Sequence, residues 1–156
     1  MKKGNRKTMK ALVKAKPEIG LWMEQVQVPE YGPNDILVRI RKTAICGTDV
    51  HIWNWDEFIS KLVPVPMVVG HEFCGGVAER GRKGGKEFKP GTPVVAGPLL
   101  RAHGGVHLTG LSPKAPGAFA EQVVAEAAMA FAVPNGLDPA TAALTEPMAV
   151  ALHAAN

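Results

Sequence analysis

The chain has only two cysteines, Cys46 and Cys74, in 156 residues. That is too few for a disulfide framework and too few for a four-thiolate structural zinc site, so any bound metal must take mixed ligands. It lacks an uninterrupted apolar run of the roughly 18 to 20 residues that a bilayer span requires, which excludes a transmembrane helix. No Gly-x-Gly-x-x-Gly stretch follows a strand-like run and opens a helix. The dinucleotide fingerprint is therefore missing, and Gly84-Gly85 and Gly104-Gly105 read as isolated loop glycines. Acids are absent from the first ten positions, where Lys2, Lys3, Arg6, Lys7 and Lys10 gather. Without those five, 13 basic side chains face 14 acidic ones, so the formal charge of +4 belongs to a short solvated tail. A nucleic-acid face, which needs clustered Lys and Arg on a folded surface with stacking aromatics, is not expected. The tail also lacks the apolar core of a secretory signal and is too short for a transit peptide, so cytoplasm is the expected compartment.

With 46% apolar residues the chain can bury one core, and a single domain is the expectation. Residues 1–8 read as a fraying extension and residues 9–156 as the folded domain, starting at Met9-Lys10-Ala11-Leu12-Val13. Ile36, Val38 and Ile40 alternate with Leu37, Arg39 and Arg41, the period of a half-buried strand after the turn Pro33-Asn34-Asp35. Val63 to Gly70 is apolar with two prolines and suits an edge or irregular strand ending at His71. Arg80 to Gly91 reads as a mobile surface turn, Val94-Val95 as a short buried strand, and Gly97 to Pro116 as a loop. Strand-like segments return at Ala118 to Val124 and Met129 to Val133. Asp138 before Pro139 is a good N-cap for a helix over Ala140 to Leu144, and Met148 to Ala155 forms a second helical run that reaches the last residue. The expected architecture is α+β, a mainly β core with short C-terminal helices. A helix still running at Asn156 suggests a chain cut from a larger protein.

Chemistry-bearing residues concentrate in two places. Cys46-Gly47-Thr48-Asp49-Val50-His51 sets a thiol, a hydroxyl, a carboxylate and an imidazole in six positions after a strand, on an expected loop. Gly70-His71-Glu72 adds an imidazole and a carboxylate at the end of an apolar run. Cys46 and His71 are a plausible pair for zinc, and a carboxylate would complete three ligands while leaving a fourth position open. On residues alone the reading stays open, since a lone cysteine is often a small buried hydrophobe and a histidine at a strand end is often only hydrogen-bonded.

The stretches Arg41 to His51 and Pro64 to Phe73 resemble the catalytic-domain motifs of the zinc-dependent medium-chain alcohol dehydrogenases. Ile52-Trp53-Asn54-Trp55-Asp56-Glu57-Phe58 resembles the continuation in the L-threonine 3-dehydrogenase branch of that family. Pro116 to Glu121 and Glu146-Pro147 with His153 extend the likeness from Met9 to the last residue, apart from the middle loop. The resemblance implies a GroES-like catalytic domain without the Rossmann domain. It implies Cys46 and His71 as catalytic zinc ligands, Glu146 as the later ligand, and Glu72 as a carboxylate that ligates in some members. Thr48 and His51 would relay the proton of a small-molecule secondary alcohol, L-threonine, with Asp49 orienting groups near the metal. NAD would accept the hydride in the intact enzyme, and this fragment alone would be inactive. The other reading kept in view is a stand-alone GroES-like module with no dehydrogenase activity. A homo-oligomer is an open expectation, since exposed apolar patches can pair with a copy.

The sequence departs from the family where Ala96 to Ala115 is short and free of cysteine, so no structural zinc is expected there. His103 and His107 in that interval, with no thiolate or carboxylate near, read as solvated loop. Gly84 and Thr92-Pro93 depart from the usual strand residues, Cys74 reads as core, and Trp53 to Phe58 is the pocket candidate.

Overall fold

A computed structural model describes residues 7–102, 104–134 and 136–156. Its frame is an antiparallel five-stranded sheet in the order β10-β6-β5-β3-β9, with β3 Asp35–Thr43, β5 Phe73–Arg80, β6 Pro93–Ala96, β9 Gln122–Glu126 and β10 Ala130–Ala132. One face carries the main core, in which Ile36, Val38, Phe73, Val77, Val94 and Val123 are buried together. Each such side chain contributes about 1.5 to 3 kcal/mol by leaving water. Beside it stands a three-stranded sheet, β2-β1-β4, formed by β1 Thr8–Lys14, β2 Trp22–Gln27 and β4 Met67–Val68. The first strand begins at Thr8, which pairs with Gln27, and Lys7 accepts a backbone bond from Val28; residues 1–6 of the expected extension lie outside the described residues. The arrangement is α+β, mainly strand, with α3 Pro139–Ala142 and α4 Thr145–Ala155 at the C-terminal end. Asp138 caps α3 by accepting from Ala140 and Thr141, as the Asp-Pro pair predicts. Among the described residues no helix is long and apolar enough to cross a membrane.

Four expectations change. The alternation of β3 predicts one buried face, yet Leu37 is buried as well as Ile36 and Val38. Its second face is covered by Leu100, Ala115 and Val124. Leu100 and Ala115 come from the segment expected to be loop, which contains a hairpin of β7 Leu99–Ala102 and β8 Gly105–Leu108, with Gly104 in the turn at a φ of 76°. The stretch 80–91 is anchored, because Phe88 is buried in the main core, Gly85 packs closely on Ile36 and Phe88, and Gly81 lies against the Gly32 and Pro33 carbonyls. Finally, the residues after Cys46 form two short helices, α1 Gly47–Asn54 and α2 Glu57–Leu62, where an irregular loop was expected.

Candidate metal centre

The pairing of β3 with β5 brings distant parts of the sequence to one end of the sheet. Its last register pair is Thr43 with Phe73, and the contact continues one step further as Ala44 N–H and the Thr43 hydroxyl both donate to the Glu72 carbonyl, at 3.0 and 2.7 Å. Cys46 follows on one side and His71 and Glu72 stand on the other. Gly70 makes the approach to His71 possible. Its φ is 92°, and a Cβ there would lie 2.4 Å from the Phe119 ring, so a side chain is barred twice over. The carbonyls of Val69 and Gly70 accept from Phe119 and Ala118, both at 2.9 Å, which locks the backbone that carries His71.

Cys46 is the N-cap of α1, with extended dihedrals and its carbonyl accepting from Asp49 at 3.0 Å. Asp49 answers by accepting the Cys46 N–H on Oδ2 at 3.0 Å, the return arm of a capping box. This fixes the thiol at the helix entrance. A ligand atom from each of Cys46, His71 and Glu72 then lies within 4.8 Å of the other two. His71 and Glu72 are buried and Cys46 is half-buried.

The electrostatics of the cluster are unresolved within the protein. Burial raises the Glu72 carboxyl above the usual range, with the His71 imidazole opposing and the charges of Glu146 and Asp49 adding to it. Burial likewise raises Asp49, against the Cys46 N–H, the His71 ring and the Gly70 N–H. Asp49 Oδ1 and His71 Nδ1 are the two buried side-chain polar atoms with no hydrogen-bond partner among the described residues. Each such atom costs about 1 to 3 kcal/mol when left unpaired. A thiol, an imidazole and a carboxyl crowded together beside orphaned polar atoms fit a zinc ion with one position left open, the pattern of a catalytic site.

The other expected site residues are less tightly gathered. Glu146 lies in the first turn of α4, outside the trio, although its charge is felt at Glu72. It lines an apolar groove of about 400 Å³ with Phe73, Val95, Phe131 and His153. Thr48 Oγ1 is 3.6 Å from Cys46 Sγ. His51 is exposed, and its Nδ1 meets Asp56 Oδ2. The reading of the sequence missed Asp56, which also caps α2 by accepting from Ile59 at 2.9 Å. That N–H bond, followed by the His51 contact, holds the Asp56 carboxyl below its usual range. Its signal was present in the N-cap pattern of Asp56-Glu57 before Phe58 and Ile59. Trp53 and Phe58 of the expected pocket stretch are largely exposed, whereas Trp55 packs on the apolar cluster of Ile52, Ile59, Val63, Met67 and Val69. His107 turns its Nε2 to the Ala102 carbonyl across the hairpin at 3.1 Å, and His103 lies outside the described residues. Cys74 is buried with Val95, Val133, Ala142 and Ala143, where burial pushes its thiol pKa up.

At 47% identity the chain resembles the L-threonine 3-dehydrogenase of Rhizobium rhizogenes, a match covering 94% of this chain and 46% of that protein. The enzyme of the same name from Chelativorans sp. is 48% identical, again over 94% of this chain and 46% of the relative. The chain thus spans about half the length of the curated relatives it matches. Among solved structures, the 2R,3R-butanediol dehydrogenase of Bacillus subtilis superposes with a TM-score of 0.80 at 29% identity, covering 94% of this chain and 46% of that one. A structure from Sinorhizobium meliloti 1021, assigned as a zinc-binding dehydrogenase and bound to NADP, gives the same TM-score and identity over 96% of this chain and 45% of its own. The alcohol dehydrogenase GroES-like domain model matches residues 32–135, the part that holds β3, β5 and the two helices between them, and the chain belongs to that family.

Proposed function

We propose that the chain is the metal-site portion of a cytoplasmic, zinc- and NAD-dependent L-threonine 3-dehydrogenase, which oxidises a secondary alcohol by hydride transfer to the nicotinamide. The observation that carries this reading is the convergence of Cys46, His71 and Glu72 within 4.8 Å beside two orphaned buried polar atoms. The substrate class is supported by relatives near 47% identity that carry that activity. Cys46, His71 and Glu72 would hold the ion, with Glu146 as a further candidate ligand whose charge is felt at Glu72. A bound zinc ion would supply the Lewis acidity that makes an alcohol easier to deprotonate near neutral pH.

The chain's own residues account for the rest. Thr48, beside Cys46, offers a hydroxyl that would accept the alcohol proton while giving up its own, and His51, three positions along the same helix, would take that proton on to water. Asp56 turns the His51 ring by engaging its Nδ1. Asp49 orients the centre from beneath by fixing the Cys46 backbone. Exposed side chains on α1 and α2, among them Trp53 and Phe58, are available to cover a substrate or pair with a second copy.

The test is metal uptake by the purified 156-residue chain. After one equivalent of zinc is offered at neutral pH and excess removed, we expect one ion per chain. Cobalt substitution should show a thiolate charge-transfer band that disappears in Cys46→Ser. A chain that stays metal-free sinks the proposal and leaves a stand-alone module of the same fold.

A further inference from the structure

Lys14 is fully buried, at 0% exposure, in the last position of β1. Lysine is among the residues least often buried, so its surroundings call for an explanation. The Nζ donates to three backbone carbonyls, those of Glu18, Gly20 at 3.1 Å and Trp53 at 3.3 Å. It also stands over two indole rings, 4.9 Å from the centre of Trp55 and 5.8 Å from that of Trp22. Neither Asp nor Glu forms an ion pair with it among the described residues, and Glu18 turns its carboxylate to Lys16 at 3.8 Å. Removal from water lowers the Lys14 pKa, and the charge of Glu18 only partly opposes this.

The three carbonyls belong to two pieces of chain. Glu18 and Gly20 sit in the turn after β1, and Trp53 sits in the last turn of α1. Gly20 N–H donates to the same Trp53 carbonyl at 2.9 Å, so the ammonium and the turn grip the helix end together. Trp55 closes the helix in the left-handed conformation, at a φ of 54°, and lays its ring on the ammonium. A cation at this end also suits the helix dipole.

The other end of α1 is the metal centre. Cys46 is its N-cap, and Asp49 and Thr48 stand in its first turn. A helix of eight residues is marginal by itself, and within this one only Asp49 and Ile52 are buried. It is also only about 12 Å long, so whatever fixes Trp53 fixes Cys46. An apolar side chain at position 14 would leave the Glu18 and Gly20 carbonyls without this donor, so the ammonium contributes to stability. It also gives direction, because its three bonds define where the helix end must lie.

We propose that Lys14 is a positioning residue for the metal centre, setting through α1 where Cys46 and Asp49 meet His71 and Glu72. It touches none of the donors, and the proposal rests on the zinc reading above.

The test measures zinc affinity by competition with a chromophoric chelator, on the full chain, for wild type, Lys14→Met, Trp22→Leu and Val123→Ala. Val123 lies in the main core, away from the cage, and its variant controls for lost stability. Lys14→Met should raise the zinc Kd about tenfold or more, Trp22→Leu should move it less in the same direction, and Val123→Ala should leave it unchanged at a comparable drop in Tm. Amide exchange of Val50 in α1 and of Trp55 at its C-cap should quicken in the first two variants and not in the third. If Lys14→Met fails to fold, Trp22→Leu decides the matter by the same two readouts. Zinc affinity within about twofold of wild type in the cage variants, or an equal loss in Val123→Ala, overturns the proposal while the zinc reading stands. A wild-type chain that takes up no zinc overturns both.

Discussion

The two ends of β3 each bury a pair of carboxylates, and the pairs are treated differently. At the start of the strand, Asp35 faces Glu126 in the register with β9. Asp35 Oδ2 accepts from Gly32 at 2.7 Å, and Glu126 is engaged by the Arg101 guanidinium and, at 3.3 Å, by the Arg101 N–H. That cluster uses its charge to hold the β7–β8 hairpin against the sheet. Beyond the other end of the strand, Asp49 and Glu72 have no arginine or lysine ion pair among the described residues, and Asp49 Oδ1 and His71 Nδ1 have no hydrogen-bond partner. Burial raises the pKa of Asp35, Asp49 and Glu72 alike, so desolvation does not separate the two ends. What separates them is whether the protein supplies the compensating donor. The closed end is structural, and the open end has the capacity to take a cation.

The sharpest way to break this contrast is Asp49→Asn. The amide can still accept from Cys46 N–H, but the negative charge beside His71 is gone. We expect the zinc Kd to rise about 10- to 100-fold, measured by chelator competition, while the metal-free chain unfolds at the same or higher denaturant. An unchanged zinc affinity would mean that the open end does not owe its openness to a metal. Glu126→Gln should behave in the opposite way. Losing the charge-assisted contact to a largely exposed arginine should cost about 1 kcal/mol in urea unfolding and leave zinc affinity untouched. A shift in zinc binding there would show that the two ends of β3 are coupled.

The same contrast explains what could be read from the sequence. Segments whose residues follow a simple period or carry a strong cap were legible, including β3, the short strand at Val94-Val95 and the Asp138-capped helix. Residue types alone offered Cys46 and His71 only as an open pair, the family resemblance supplied Glu72 and Glu146, and the β3–β5 register brings Cys46, His71 and Glu72 together with Glu146 outside that trio. The helix α1 was hidden because Gly47, Thr48, Val50, Ile52 and Trp53 are poor helix formers, and its support comes from Asp49, Lys14 and the fold around it. Lys14 itself gave no sign, since a lysine in a strand is ordinarily solvated and the carbonyls that surround it come from residues 4, 6 and 39 positions away. The hairpin at 99–108 was obscured by a glycine-rich composition that reads as loop, and its role became visible only against the second face of Leu37. The distance of Glu146 from the trio depends on how α4 packs, and none of that helix's residues is buried.

The smallest expected effect concerns the closed end, where compensation is good but incomplete. Burial raises the Asp35 carboxyl above its ordinary 3.8, the nearby charge of Glu126 adds to this, and the Gly32 N–H works against both. A carboxyl with a raised pKa in the folded state holds its proton more tightly there than in the unfolded chain. Its contribution to stability therefore falls as pH climbs from the unfolded pKa through the raised folded one, and levels off above it. Asp35→Asn has no proton to lose, yet its amide oxygen can still accept from Gly32. Across that window the stability of Asp35→Asn, relative to wild type, should rise with pH by about half a kcal/mol or less, measured as urea midpoints at a series of pH values. Parallel pH profiles would mean that Gly32 compensates Asp35 completely. A variant that loses stability as pH rises would mean that the ionised carboxylate is itself a stabilising group, and the closed end would then be a site that needs its charge rather than one that tolerates it.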